Sequence, residues 1–128
     1  MSKTLLSAFN NNLNKFIGEL IKTYPQEHNF VVFKNTILLM QRVNPRKVLL
    51  LFIEYIDPYK DKLLNRDESF FLNEKYSNIL EQTDNKENAW KLVDKLKLYW
   101  KDTSESNKNV IWIYFKQLIT LGYMTYRK

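Results

Sequence analysis

The widest apolar helical pattern in this chain is NKNVIWIYFKQLITL, residues Asn107–Leu121. At about 100° per residue its apolar side chains occupy roughly 200° of a helical wheel, whereas an ordinary surface helix has an apolar stripe of roughly 100°. These side chains are Val110, Ile111, Trp112, Tyr114, Phe115, Leu118, Ile119 and Leu121. A helix of this kind must be buried on several sides. We therefore expect it to form the centre of the fold, with the other helices packed around it.

The residues VIWIYF within this stretch could instead form a strand, because β-branched and aromatic residues favour strands. The helical pattern continues beyond them to Leu121, and the polar residues Thr103–Asn107 supply capping groups before it. Gly122 follows the last apolar residue and is predicted to end the helix as its C′ residue. We therefore favour a final helix that ends at Gly122, followed by a short tail.

Length and composition predict one helical domain. A chain of 128 residues has the length of a single ordinary domain, and its 45% hydrophobic residues favour a compact fold over disorder. Only two glycines and three prolines are present, which is too few for the turns of a many-stranded β protein. The prediction is an all-α fold, a single compact bundle of five to seven helices over residues 1–128 with the C-terminal helix at its centre.

Prolines and capping residues divide the rest of the chain. Pro25 ends a first helix, and Asn44-Pro45 places a capping residue and a proline at the start of a third. Asp57-Pro58 repeats this pattern at a kink or restart, and residues 60–84 can supply one or two short helices without defined ends. The helices predicted before the final one cover about residues 3–23, 27–42, 45–56 and 85–102.

The sequence contains no recognisable catalytic or cofactor motif. His28 is the only histidine and cysteine is absent, whereas zinc sites need several such ligands. The carboxylates of Glu54, Asp57 and Asp61 could share a helical face, but Pro58 breaks that register and neighbouring lysines make a solvated charged face the better interpretation. We expect a protein that is not an enzyme, with no catalytic residue, cofactor or metal.

The expected location is intracellular. No run of 18 apolar residues is present, the N-terminal residues lack the apolar core of a signal peptide, and there is no cysteine for disulfides. No membrane partner is therefore expected.

Basic residues leave nucleic-acid binding open as an alternative. The formal net charge is +6, from 20 basic and 14 acidic residues, and clustered cations attract phosphates. Acidic residues are interleaved with the cations, and no helix-turn-helix signature is present. Two groups of cations are candidates: Arg42, Arg46 and Lys47 around Asn44-Pro45, and Lys91, Lys95, Lys97 and Lys101 beside Trp90.

Some apolar residues lie off the predicted inner faces and are candidates for binding a protein partner or a second copy of the chain. Most aromatic residues are expected in the core, but exposed apolar residues can form a partner surface. The candidates are Trp90, Ile113, Tyr123, Met124 and Tyr126. Binding through apolar helix faces is the preferred hypothesis for the function.

Four segments add a resemblance to this interpretation. They are FNNNLNKFIGEL (Phe9–Leu20), NPRKVLLLF (Asn44–Phe52), FFLNEKYS (Phe70–Ser77) and NKNVIWIYFKQLITL (Asn107–Leu121). With these segments the chain resembles small all-helical proteins of unknown function encoded by large nucleocytoplasmic DNA viruses of algae and protists. The resemblance implies a viral origin, a location in the host cytoplasm or the virion, and interaction as the function. It carries over no functional residue.

Overall fold

The computed structural model describes residues 2–72 and 95–127. These residues form helices and connecting turns without a strand, which confirms the all-α prediction. The α-helices are α1 (Ser2–Thr23), α2 (Asn29–Val43), α3 (Pro45–Ile56), α4 (Lys60–Leu64), α5 (Ser69–Leu72) and α6 (Glu105–Tyr126). Single 3-10 turns cover Asp57–Tyr59 and Trp100–Asp102, and residues 95–99 are also helical.

The C-terminal helix α6 is central, as predicted. It packs most extensively against α1 and also contacts α3 and α4. The ring of Phe115 lies edge-on to Phe16 of α1, with 5.4 Å between ring centres. Each fully buried side chain of this size contributes roughly 1.5–3 kcal/mol to stability, so the packing of α6 on α1 is the largest source of hydrophobic stabilisation in the described fold.

Helices α2 and α3 pack on each other and on α1, and α3 also contacts α6. α2 packs against α1 and α3, and it buries Phe30, Phe33 and Ile37 of the predicted inner row. The predicted start of α3 is confirmed: Asn44 precedes the helix, and its side-chain Oδ1 accepts a hydrogen bond from the backbone N–H of Arg46 at 3.2 Å. This capping contact holds the sharp corner between α2 and α3.

An aromatic cluster connects the short helix α5 to α6. The rings of Phe71 and Trp100 are stacked with 4.1 Å between centres, and Trp112 of α6 lies edge-on to both. The indole N–H of Trp100 donates to Glu68 at 3.2 Å, so this buried donor is satisfied. The predicted helix over residues 85–102 falls within the described part only from residue 95.

The final helix begins and ends at different residues from those predicted. Ser104 caps it, since its Oγ accepts from the backbone N–H of Asn107 at 3.1 Å, and the helix continues to Tyr126. The predicted end at Gly122 is wrong because tertiary packing continues beyond this glycine. Thr125 is fully buried and donates from Oγ1 to the carbonyl of Leu121 at 2.7 Å.

Gly122 lies inside the core and not at a helix end. A Cβ atom there would lie 3.3 Å from Cδ1 of Ile53 and 3.5 Å from the rings of Phe9 and Phe52. The missing side chain therefore lets α6 approach α1 and α3 closely. Gly18 of α1 differs, since a Cβ there would meet only Nζ of Lys34, at 3.8 Å.

The two glycines should respond differently to substitution. Gly18→Ala should raise the free energy of unfolding by about 0.5–1 kcal/mol, because alanine is the better helix former. Gly122→Ala should gain less or lose stability, and Gly122→Leu should lower the free energy of unfolding by about 1–3 kcal/mol through overpacking. Urea unfolding of the three variants measures this. Equal effects of alanine at both positions would contradict the close packing at Gly122.

Candidate interaction surfaces

The structure separates Ile113 and Met124, two of the partner-binding candidates on α6, from each other. Ile113 and Met124 are 40% and 45% exposed on the outer side of the helix. Eleven residues separate them, which is about 16 Å along the axis, and the exposed polar residues Lys116, Gln117 and Thr120 lie between. Single exposed apolar residues of this kind are common on protein surfaces. Trp90 lies outside the described residues.

Tyr123 and Tyr126 line a groove between the C-terminal part of α6 and α3. The groove has a volume of about 660 Å³, and its other lining residues are Leu50, Ile53, Glu54, Asp57 and Pro58. The phenol of Tyr123 donates to Oδ1 of Asp57 at 2.6 Å, and Nζ of Lys60 lies 4.8 Å from the centre of its ring. Burial and then the hydrogen bond to Asp57 raise the pKa of Tyr123 to about 12. Tyr123 therefore holds the end of α6 against the α3–α4 turn.

The three carboxylates considered for chemistry lie at or next to the turn between α3 and α4. Asp57 accepts the bond from Tyr123, Glu54 lines the same groove, and Asp61 is exposed. His28, the chain's single histidine, is exposed at the start of α2. Among residues 2–72 and 95–127, no group of three or more His, Cys, Asp or Glu side chains is placed to hold a metal ion.

A hydrogen-bonded polar group links the end of α1 and the following turn to the segment before α6. Tyr99 donates to Glu27 at 2.7 Å, and the hydroxyls of Tyr24 and Thr103 are hydrogen-bonded to each other. The bond from Tyr99 is the main reason why the pKa of Glu27 is lowered. Both of these bonds join two distant parts of the fold, so the role of the group is structural.

Among the described residues, α2 has more exposed large apolar residues than any other helix, at positions where the sequence pattern indicates no partner-binding candidate. Five residues on the side opposite its buried row are 38% to 80% exposed, and they occupy an arc of roughly 140°. We call this surface the α2 face; it consists of Val31, Val32, Leu38, Leu39 and Val43. Asn35 and Arg42 lie among these residues on the same side of the helix.

The α2 face is comparable in size to the largest apolar patch of a typical monomer. Its five residues together leave on the order of 400 Å² exposed, and the largest apolar patch of a typical monomer is about 300–600 Å² and is often functional. A sequence signal for it was present, since α2 is apolar on nearly all sides and such a helix is expected to be buried all round. Only the structure shows that this side of α2 is exposed.

The charge around the C-terminal half of the α2 face is of one sign. Residues 28–53 contain no aspartate or glutamate, and their cations are Lys34, Arg42, Arg46 and Lys47. Arg42 and Lys47 are exposed and Arg46 is half-buried, and no ion pair between described residues includes any of these four cations. The first predicted basic group therefore lies at the C-terminal end of the α2 face, around the Asn44-Pro45 corner.

The second predicted basic group does not form a row of solvated lysines within the described residues. Lys101 is exposed and Lys95 is half-buried. The Nζ atom of Lys97 is buried and lies 5.2 Å from the centre of the Phe70 ring, which differs from the expected position outside the apolar face. Lys91 lies outside the described residues.

A second groove, beside the aromatic cluster, has balanced charges. It has a volume of about 440 Å³ between α6 and the turn before α5. The ammonium of Lys108 lies 3.2 Å from Glu68 and 3.7 Å from Glu105, and Arg66 donates to Asn109 at 2.8 Å. These polar groups bind one another across the groove.

Comparison with known proteins adds no family to this description. Neither a scan against protein-family models nor searches of curated proteins and of solved structures found a match to the chain. Within residues 2–72 and 95–127, no helix combines the length and apolarity needed to cross a membrane.

The bond between Tyr123 and Asp57 can be tested by pH. A raised pKa in the folded state means that the neutral phenol stabilises the fold fully below pH 10 and that this stabilisation is lost as the pH rises towards about 12. Tyr123→Phe should therefore lose less stability than the wild type over this interval. Asp57→Asn should lower the pKa of Tyr123, measured by phenolate absorbance with the titration of Tyr123→Phe subtracted. An unchanged pKa in Asp57→Asn would contradict the assigned contact.

Proposed function

We propose that this chain is a non-enzymatic helical interaction protein that binds a protein partner through the α2 face. The observation that carries the proposal is the row of five exposed valines and leucines on the outside of α2. The buried row of the same helix already anchors it to α1 and α3. The exposed row is therefore available for a contact outside the described fold.

The size of the α2 face sets the kind of interaction it supports. Burial of about 400 Å² of apolar surface contributes roughly 10 kcal/mol at about 25 cal/mol per Å². Association itself costs an amount of the same order, about 4–15 kcal/mol. The apolar row alone would thus give weak, reversible binding, and tighter binding would require polar contacts around it. The resemblance to viral helical proteins supports a setting in the host cytoplasm or the virion as part of this proposal.

Site-directed photo-crosslinking in the cells that make the protein tests the proposal. A photoreactive amino acid replacing Leu39 should give a discrete covalent adduct, because this position would lie within the interface. The same amino acid replacing the exposed Lys116 on α6 is the matched control and should give none. The mass of the adduct distinguishes another protein from a second copy of the chain. Identical adducts from both positions, or none from Leu39, would refute binding through the α2 face.

A nucleic-acid-associated protein is a second candidate function. The observation that favours it is the corner at Asn44-Pro45, where Arg42, Arg46 and Lys47 follow one another closely without an ion-paired carboxylate among the described residues. Unpaired cations of this kind bind phosphates with an affinity that falls steeply as salt increases.

Fluorescence anisotropy with a labelled DNA duplex at several salt concentrations tests this second candidate. The double variant Arg42→Gln with Arg46→Gln should weaken DNA binding. It should also reduce the slope of log affinity against log salt concentration by about one for each cation that had bound a phosphate. The variant Lys15→Gln with Lys116→Gln removes the same charge elsewhere and should retain the slope. No binding at low salt, or equal weakening in both variants, would exclude this corner as the site.

A further inference from the structure

The charges around the α2 face indicate which chemistry its partner must have. We infer that the α2 face binds an amphipathic helix whose apolar row is followed at one end by carboxylates. This inference rests on the proposed function, and it identifies the partner by charge complementarity with Arg42 and the corner that follows it.

The positions of the cations relative to the apolar row give the partner's geometry. Arg42 follows Leu38 and Leu39 by four and three residues, so its side chain borders both on the helix surface. The first turn of α3 adds two cations beyond Val43, the half-buried Arg46 and the exposed Lys47. From Val31 to Val43 the α2 face is about 18 Å long. A partner helix of about three turns would cover it, with carboxylates only at the end that meets Arg42.

A second copy of the chain fits this surface less well. Residues 28–53 contain four lysines and arginines and no carboxylate, so the α2 face of a second copy offers no carboxylate within this segment to Arg42, and a parallel pair would bring the two basic ends together. Like charges across an interface oppose association. The apolar row also supplies only about half of the roughly 800 Å² per partner found in standard interfaces. Charged residues around the apolar row must therefore add attraction, and carboxylates on a different protein can supply it.

An anionic membrane and nucleic acid also match the charge, but they match the rest of the surface less well. Helices that lie in a membrane interface typically insert tryptophan, phenylalanine or leucine beside many cations. The α2 face contains no aromatic residue, and three of its five members are valines. A phosphate backbone, in turn, leaves an exposed apolar row uncovered. The combination of an apolar row and cations at one end therefore favours an acidic amphipathic helix.

Binding of designed helical peptides to the full chain tests the inference. One fluorescein-labelled peptide carries leucines at helical spacing followed by glutamates, and its matched control carries lysines in place of the glutamates. We expect the glutamate peptide to bind about tenfold more tightly by anisotropy, as two or three exposed ion pairs would give. The charge-reversal variant Arg42→Glu with Arg46→Glu should invert this preference.

A second variant separates charge attraction from docking on the apolar row. Leu39→Gln with Val43→Gln changes two exposed residues and should reduce binding of the glutamate peptide about tenfold or more, whereas Leu98→Gln, at an exposed leucine elsewhere, should retain it. Circular dichroism spectra and urea unfolding confirm that each variant is folded. Weaker binding in both the charge and the apolar variants is the result that supports the inference.

Each other result overturns it. Equal binding of both peptides, or no binding of either, would reject carboxylates as the determinant. Binding to vesicles containing anionic lipid that is tighter than binding to the glutamate peptide would assign the face to a membrane. A salt-sensitive complex with duplex DNA that persists in the variant Leu39→Gln with Val43→Gln would assign the corner to nucleic acid. Dimers in sedimentation that Leu39→Gln with Val43→Gln disrupts would assign the face to a second copy. A specific crosslink at Leu39 together with any of these results would leave the proposed use of the face intact and reject only the acidic partner.

Discussion

Helices α1 and α6, each of 22 residues, pack closely side by side. Helices α2 to α5 all contact one or both members of this pair. α2 and α3 pack on α1, α3 and α4 pack on α6, and α5 reaches α6 through the aromatic contact of Phe71 with Trp112. The approach of the pair at one end depends on Gly122, where any Cβ atom would crowd Ile53 and the phenylalanine rings. Without the packing of α1 on α6 the remaining helices would have no shared core.

Local signals in the sequence predict those parts of the fold that depend on local chemistry. The start of α3 follows from Asn44 and Pro45, because a side-chain acceptor and a proline suit the first helical turn wherever that turn lies in a protein. The end of α6 could not be predicted in the same way. Gly122 resembles a helix end in sequence, but its role is to admit neighbouring side chains, and that role depends on residues as distant in sequence as Phe9 and Ile53.

At the candidate interaction surfaces, too, some features follow from the local sequence pattern and others depend on the three-dimensional environment. Ile113 was predicted to be exposed because its neighbours on α6 are polar, and it is. Tyr123 was expected in a tail, but it forms a hydrogen bond with Asp57 inside a longer helix. The α2 face escaped prediction because valines and leucines on a helix normally indicate burial. Whether such a side is covered depends on how many helices surround it, which no pattern within α2 reports.

Both α6 and α2 have an apolar arc wider than one packing face, and the chain itself buries that of α6 through α1, α3 and α4. On α2, other helices of the chain cover the apolar residues on one side of the helix only. Valine is a poorer helix former than alanine or lysine by up to about 0.7 kcal/mol, so Val31, Val32 and Val43 weaken the helix at positions where they bury little surface. A solvent-exposed lysine or glutamate would serve the fold at least as well. Stability of the isolated chain therefore does not explain these residues, whereas the contact that we propose with a partner would.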